Sequence, residues 1–200
     1  MDTPSRARYA RRIAAAAVCT ALIAAGSYIS VPIPWSPAPI SLASMFVTLA
    51  GLLLGARRGV YACILYLSLG AAGLPVFASG SGGIAPLLGP TGGFLFGYPL
   101  SACVAGLVFR PHSRSRNESR SKLFFRALAA SLAAAGILYF PGLAWLMLRL
   151  DLHFPAALAV ATLPFIPGDI IKAVTAAAAT RTLMAAGTLQ ELLYVPSAED

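Results

Sequence analysis

Apolar stretches separated by short polar, glycine-rich or proline-rich breaks run the length of the chain, at residues 13–31, 40–54, 60–74, 93–109, 123–148 and 155–184. A helix rises about 1.5 Å per residue and a bilayer's hydrocarbon core is about 30 Å thick, so a perpendicular span needs about 20 apolar residues. Several of these stretches are shorter than that, and the loops beside them are expected to dip inward. The pattern predicts an all-α membrane protein of six transmembrane helices. An even number of spans puts both termini on one side.

The charged positions orient that bundle. Arg6, Arg8, Arg11 and Arg12 precede the first stretch, Arg57 and Arg58 separate the second from the third, and Arg110, Arg114, Arg116, Arg120, Lys122 and Arg126 crowd the break between the fourth and fifth. Basic residues accumulate in cytoplasmic loops, so both termini are expected in the cytoplasm. Arg149, beside Asp151 in an outer loop, and Lys172, inside the sixth stretch, are the exceptions. The basic opening run followed by residues 13–29 is too long for the apolar part of a secretory signal and lacks a small-residue cleavage site, so it is read as the first transmembrane helix.

Composition adds that one integral membrane domain accounts for residues 1–200, with a basic stretch at 1–12, a basic loop at 110–122 and a tail at 187–200. Only 11% of the side chains are charged and 58% are hydrophobic, with a mean hydropathy of +0.77. A soluble domain carries about a quarter charged residues. The net charge of +8 follows from the topology rather than from nucleic-acid binding, because no aromatic residues interleave the basic runs. The basic loop is most simply a solvated segment near anionic lipid headgroups.

Cys19, Cys63 and Cys103 are odd in number, lie inside apolar runs and show no CxxC spacing; His112 and His153 sit in loops without partners. They are read as small buried hydrophobes and solvated histidines, and no metal or cofactor is expected. No phosphate-binding GxxxxGK[ST] motif is present, so any ATP-driven process would need an ATPase on another chain.

Candidate chemistry concentrates in residues 163–182, LPFIPGDIIKAVTAAAATRT. A charge at the bilayer centre costs roughly 2.5 to 3.5 kcal/mol, which makes Asp169 and Lys172 functional candidates. Three residues apart, they share one helix face and can pair. Pro164, Pro167 and Gly168 disfavour a continuous helix, and a broken helix whose second half starts near Asp169 is expected, its N-terminus offering free N–H groups to a ligand. The alternative is an ion pair that only locks two helices together.

Two uncharged loops carry the remaining signals. In SVPIPWSPAPIS, Pro32, Pro34, Pro37 and Pro39 stiffen the backbone around Trp35, which is either a lid over a pocket or an interfacial anchor. In LPVFASGSGGIAPLLGPTGGFLFGY, residues 74–98, the glycines, among them Gly82 and Gly83, let backbone approach a ligand, Ser79 and Thr91 offer small donors and acceptors, and Phe77 and Tyr98 supply apolar walls. Ala17, Ala21 and Ala25 recur every four residues on the first helix, a smooth strip for close packing within the bundle or against a partner protein.

GLLLGARRG, YLSLGAAGLPVFASGSGG, GPTGGFLFGY and LPFIPGDIIKA, in this order and spacing, resemble the BioY family, the biotin-specific S-components of energy-coupling factor (ECF) transporters. The resemblance covers about residues 10–181. It implies a six-helix S-component bundle in a bacterial cytoplasmic membrane that captures biotin from outside, energised by an ECF coupling transmembrane protein and two cytoplasmic ATPases. It makes Asp169 and Lys172 the polar ligands of biotin, residues 77–83 and Thr91 its cover, and Ala17, Ala21 and Ala25 the strip that docks on the coupling protein. Many members carry PITLQ where this chain has Pro39, Ile40, Ser41, Leu42 and Ala43.

Competing functions are a proton-coupled secondary transporter with Asp169 as carrier, a membrane enzyme and a structural subunit. A single intramembrane acid and the lack of a clear inverted repeat count against the first. The lack of HExxH, Ser–His pairing or clustered acids counts against the second.

Overall fold

The computed structural model describes residues 3–109 and 119–185. The basic loop at 110–118 and the tail at 187–200 lie outside the described residues. Among the described residues eight α-helices carry the fold: α1 (Thr3–Tyr28), α2 (Ala43–Leu54), α3 (Ala56–Ala71), α4 (Ala85–Leu88), α5 (Gly92–Phe109), α6 (Arg120–Leu150), α7 (Phe154–Ala161) and α8 (Ile166–Ala185). Three are long and apolar enough to cross a membrane alone, namely α5, α6 and the Tyr9–Tyr28 part of α1. The bent α7–α8 pair qualifies as a fourth; α2 and α3, at 12 and 16 residues, are shorter.

Helix α5 is the hub, packed on α2, α3 and most extensively on α6, while α8 lies against α6 and α2 and α1 closes over α2 and α3. Missing side chains make these approaches possible. A Cβ on Gly51 would fall 2.3 Å from the Ala102 carbonyl oxygen, and one on Gly106 would fall 2.2 Å from the Ala56 nitrogen. Gly93 and Gly97 likewise let α5 settle against Trp145, Pro141 and Leu138 of α6. Without a hydrophobic force between helices in lipid, such close backbone contact is what holds a membrane bundle together. Several large apolar side chains face outward, as Phe140, Leu148, Leu107 and Ile171 do, while Ala105, Ala127, Ala130, Ala134, Ala176 and Ala177 pack with Leu52, Phe109 and Leu123 in one buried cluster.

Gly55, at φ 79°, makes the turn between α2 and α3 with a single residue. That backbone conformation strongly favours glycine.

Two departures from the sequence expectation shape the opposite end of the bundle. The proline loop is stitched at its base by a two-residue antiparallel ribbon, β1 (Ser30–Val31) with β2 (Ile40–Ser41), in the register Ser30 with Ser41 and Val31 with Ile40. The ribbon uses residues flanking the prolines, which themselves have no N–H to donate. The sixth stretch breaks by 55° between α7 and α8, as Pro164 suggested, but α8 starts at Ile166, three residues ahead of Asp169. Pro167 is accommodated in the first turn, where its missing N–H would have had no partner.

Candidate ligand-binding site

The break before α8 places Asp169 in its first turn, with its backbone N–H donating to the Phe165 carbonyl at 2.9 Å. Lys172 follows one turn later, pointing the same way. Its Nζ lies 3.1 Å from Asp169 Oδ1 and donates to Ser44 Oγ of α2 at 3.2 Å. The Tyr139 hydroxyl of α6 donates to the other carboxylate oxygen, Oδ2. Lys172 is 8% exposed, so three helices converge on a desolvated charge pair.

Above the pair opens a cavity of about 120 Å³. Its floor is Asp169, Lys172 and Ser44, and its walls are largely aromatic: Tyr66, Phe77, Tyr98, Phe94, Tyr139 and Phe165. Tyr66 meets Phe77 edge to face at 5.4 Å and lies 6.1 Å from Tyr98, while Phe94 stands edge-on to Tyr139 at 6.4 Å. Such edge contacts fix ring orientation as well as burying area. Ser27 Oγ and the Tyr66 hydroxyl, 2.7 Å apart, add a polar point on the far wall.

Phe77 owes its position to Gly70. A Cβ there would lie 2.1 Å from the ring's Cζ, so only glycine leaves room for the fully buried phenyl. The loop around it is closed by its own backbone, Phe77 N to Ser81 O at 2.9 Å and Gly83 N to Gly70 O at 2.7 Å, with Ser81 Oγ donating to Ala78 O at 2.8 Å. Three side chains then tie the cover to the bundle. The Tyr28 hydroxyl donates to the Pro75 carbonyl, Trp145 Nε1 to Gly89 O at 2.9 Å, and Arg149 Nε to Leu88 O at 2.7 Å.

Of the residues proposed from sequence, Asp169, Lys172, Phe77, Thr91 and Tyr98 line one cavity. Ser79, Gly82 and Gly83 belong to the covering loop without lining it: Ser79 is exposed at φ 57°, Gly83 sits at φ 84°, and Gly82 packs on the Leu74 carbonyl. Trp35 is 68% exposed and also stands outside the lining, to which its loop contributes Ala38 and Pro39 instead. Ala17, Ala21 and Ala25 are all exposed on one face of α1. Ala43 is buried in the core with Ile23, Val47 and Tyr66 rather than in the cavity wall.

Sequence reasoning missed Tyr139, Tyr66, Ser44, Ser27, Phe94 and Phe165. Tyr66 had a signal, since Gly59, Ala62, Cys63, Tyr66 and Gly70 recur at helical spacing and mark the buried face of α3. Tyr139 had none, being one aromatic in a long apolar run.

The fold and the cavity define a polytopic helical membrane protein with an internal chamber, aromatic at the sides and zwitterionic at the floor, suited to a small molecule that combines a compact apolar body with hydrogen-bonding groups. The BioY family profile matches residues 1–188, and the chain belongs to the BioY family. It is 39% identical over 167 residues to a probable biotin transporter BioY of Pyrococcus horikoshii, covering 84% of this chain and 92% of that one. It is equally 39% identical over 168 residues to the biotin transporter BioY of Thermotoga maritima, with the same coverage of 84% and 92%. Among solved structures, the S-component for biotin from an ECF-type ABC transporter superposes with a TM-score of 0.82 at 27% identity, covering 97% of this chain and all of that one.

Proposed function

We propose that this chain is the substrate-capturing membrane subunit of a biotin uptake system. The observation that carries the proposal is the Asp169–Lys172 pair, held by Tyr139 and Ser44 at the floor of an aromatic chamber. Biotin carries a ureido group with two N–H donors and a carbonyl acceptor, an apolar bicyclic ring and a carboxylate tail. Asp169 accepts from a ureido N–H, Lys172 donates to the carbonyl or to the carboxylate, and Phe77, Tyr66 and Tyr98 enclose the ring. Residues 77–83 and Thr91 act as its cover. The family consists of transporter components rather than enzymes.

The same reading places the protein in the cytoplasmic membrane of a bacterial cell with six spans and both termini inside, α2 and α3 each counting as one short span. An ECF coupling transmembrane protein and two cytoplasmic ATPases supply the energy, and the exposed Ala17, Ala21 and Ala25 strip of α1 is the surface on which the coupling protein docks. A face of small residues permits a partner helix to approach closely in lipid.

Equilibrium binding of biotin to the detergent-purified protein tests the proposal, with desthiobiotin, thiamine and riboflavin as controls. Biotin-selective binding is the expected result. No binding by a monodisperse sample would overturn it.

A further inference from the structure

We propose that a single ordered water beneath Lys172 is a built part of the site, held by hydroxyls from three helices and completing the ammonium's hydrogen bonds. A second cavity, of about 20 Å³, lies on the other side of the ion pair from the large chamber and shares Ser44, Leu138, Asp169 and Lys172 with it. Its polar lining also includes Thr48 of α2, Ser101 of α5 and Ser131 of α6, all buried. A cavity holds a water once it has about 10 to 15 Å³ and two to four polar partners, and this one meets both requirements.

The donor and acceptor count selects the ligand. Each hydroxyl has one proton and two lone pairs. Thr48 donates its proton to Ser44 O at 3.0 Å, Ser101 to Ala134 O at 2.9 Å and Ser131 to Ala127 O at 2.8 Å. All three therefore face the cavity as acceptors. Lys172 has three N–H donors, of which Asp169 Oδ1 and Ser44 Oγ take two. The cavity thus presents several acceptors and one cationic donor, and a water matches it by donating two protons to hydroxyls while accepting from Lys172. A metal cation would meet the ammonium, and an anion would meet lone pairs whose protons are already committed.

The consequence bears on ligand capture, and this part rests on the biotin reading. A ligand filling the large chamber excludes water from the upper side of Lys172. The lower water takes the third N–H before the ligand arrives, and as a biotin oxygen reaches Lys172 that N–H turns to it while the water keeps its bonds to the hydroxyls, so that closing the site strands no donor.

Two measurements test this. A crystal structure of the ligand-free protein, at a resolution that orders internal water, should show a peak within hydrogen-bond distance of Lys172 Nζ and of at least two of the Thr48, Ser101 and Ser131 hydroxyls. A cavity without that peak would overturn the proposal, whether or not the protein binds biotin. A protein that has the water but does not bind biotin keeps this site and loses the transport reading instead. In the second measurement, Thr48→Val, which keeps shape and removes an acceptor, should weaken biotin binding about tenfold, whereas Thr48→Ser, which keeps the acceptor, should bind as the parent does. Equal binding by both variants, or weaker binding by the serine variant alone, would assign Thr48 to packing and overturn the role in capture.

Discussion

The Tyr139 hydroxyl donates to Asp169 Oδ2 while Lys172 occupies Oδ1, so a residue from the middle of α6 orients the carboxylate at the start of α8. A hydrogen bond to a charged group contributes about 1.5 to 3 kcal/mol. Tyr139→Phe keeps the ring against Phe94 and removes only the donor. Biotin affinity is expected to fall roughly ten- to hundredfold on that scale. Unchanged affinity in a calorimetric titration would show that Asp169 needs no such support.

The charge pair is predicted to behave as a unit. Removing one partner of a buried pair costs about 3 to 5 kcal/mol because the other charge is left uncompensated, whereas removing both is close to neutral. Asp169→Asn and Lys172→Met should each lose biotin binding and melt earlier than the parent. The double variant should recover much of the thermal stability without recovering binding. If the two single losses of stability simply add, the pair is not coupled as the 3.1 Å contact implies.

Two glycine substitutions should separate cover from scaffold. Gly70→Ala drives a methyl group into the Phe77 ring, which can move only by leaving its seat in the chamber wall. Overpacking of this kind costs about 1 to 3 kcal/mol, and here the cost is expected as faster biotin release with the bundle intact. Gly51→Ala meets the backbone carbonyl of Ala102 instead, so helices α2 and α5 must part. Loss of thermal stability should dominate in that variant, read by detergent melting curves. Identical profiles for the two would refute the distinction.

Trp145→Phe tests the tie between α6 and the covering segment. A smaller aromatic ring is kept against Phe96 and the donor to Gly89 O is lost. A neutral hydrogen bond contributes about 0.5 to 1.5 kcal/mol, so biotin dissociation should accelerate roughly two- to tenfold with little change in association. Stopped-flow release of a fluorescent biotin conjugate would measure it.

Ala21→Leu should leave binding alone and impair transport. Ala21 is exposed on α1, whereas Ser27, the α1 residue of the chamber wall, is buried six residues further on. A larger side chain there does not enter the bundle, but it does hold off a closely packed partner helix. Normal biotin affinity with reduced uptake in cells supplying the ATPases is the expected outcome. Normal uptake would place the docking surface elsewhere.

The sequence by itself determined the membrane-embedded helical class, the approximate segments, the broken final stretch and the Asp169–Lys172 pair. Each of these rests on a local or compositional cost: charges and prolines stand out inside apolar runs because lipid makes them expensive. Only the tertiary structure decided which ordinary residues complete the site. Tyr139, Tyr66, Ser44 and Phe165 come from four separate parts of the chain and carry no local peculiarity until the helices converge. It also decided that Trp35 stays at the surface while Ala38 and Pro39 line the chamber, because the β1–β2 ribbon sets how the proline loop leaves the bundle. Helix registry turns side chains three or four residues apart toward one chamber, and registry is settled by packing between helices rather than within any one of them.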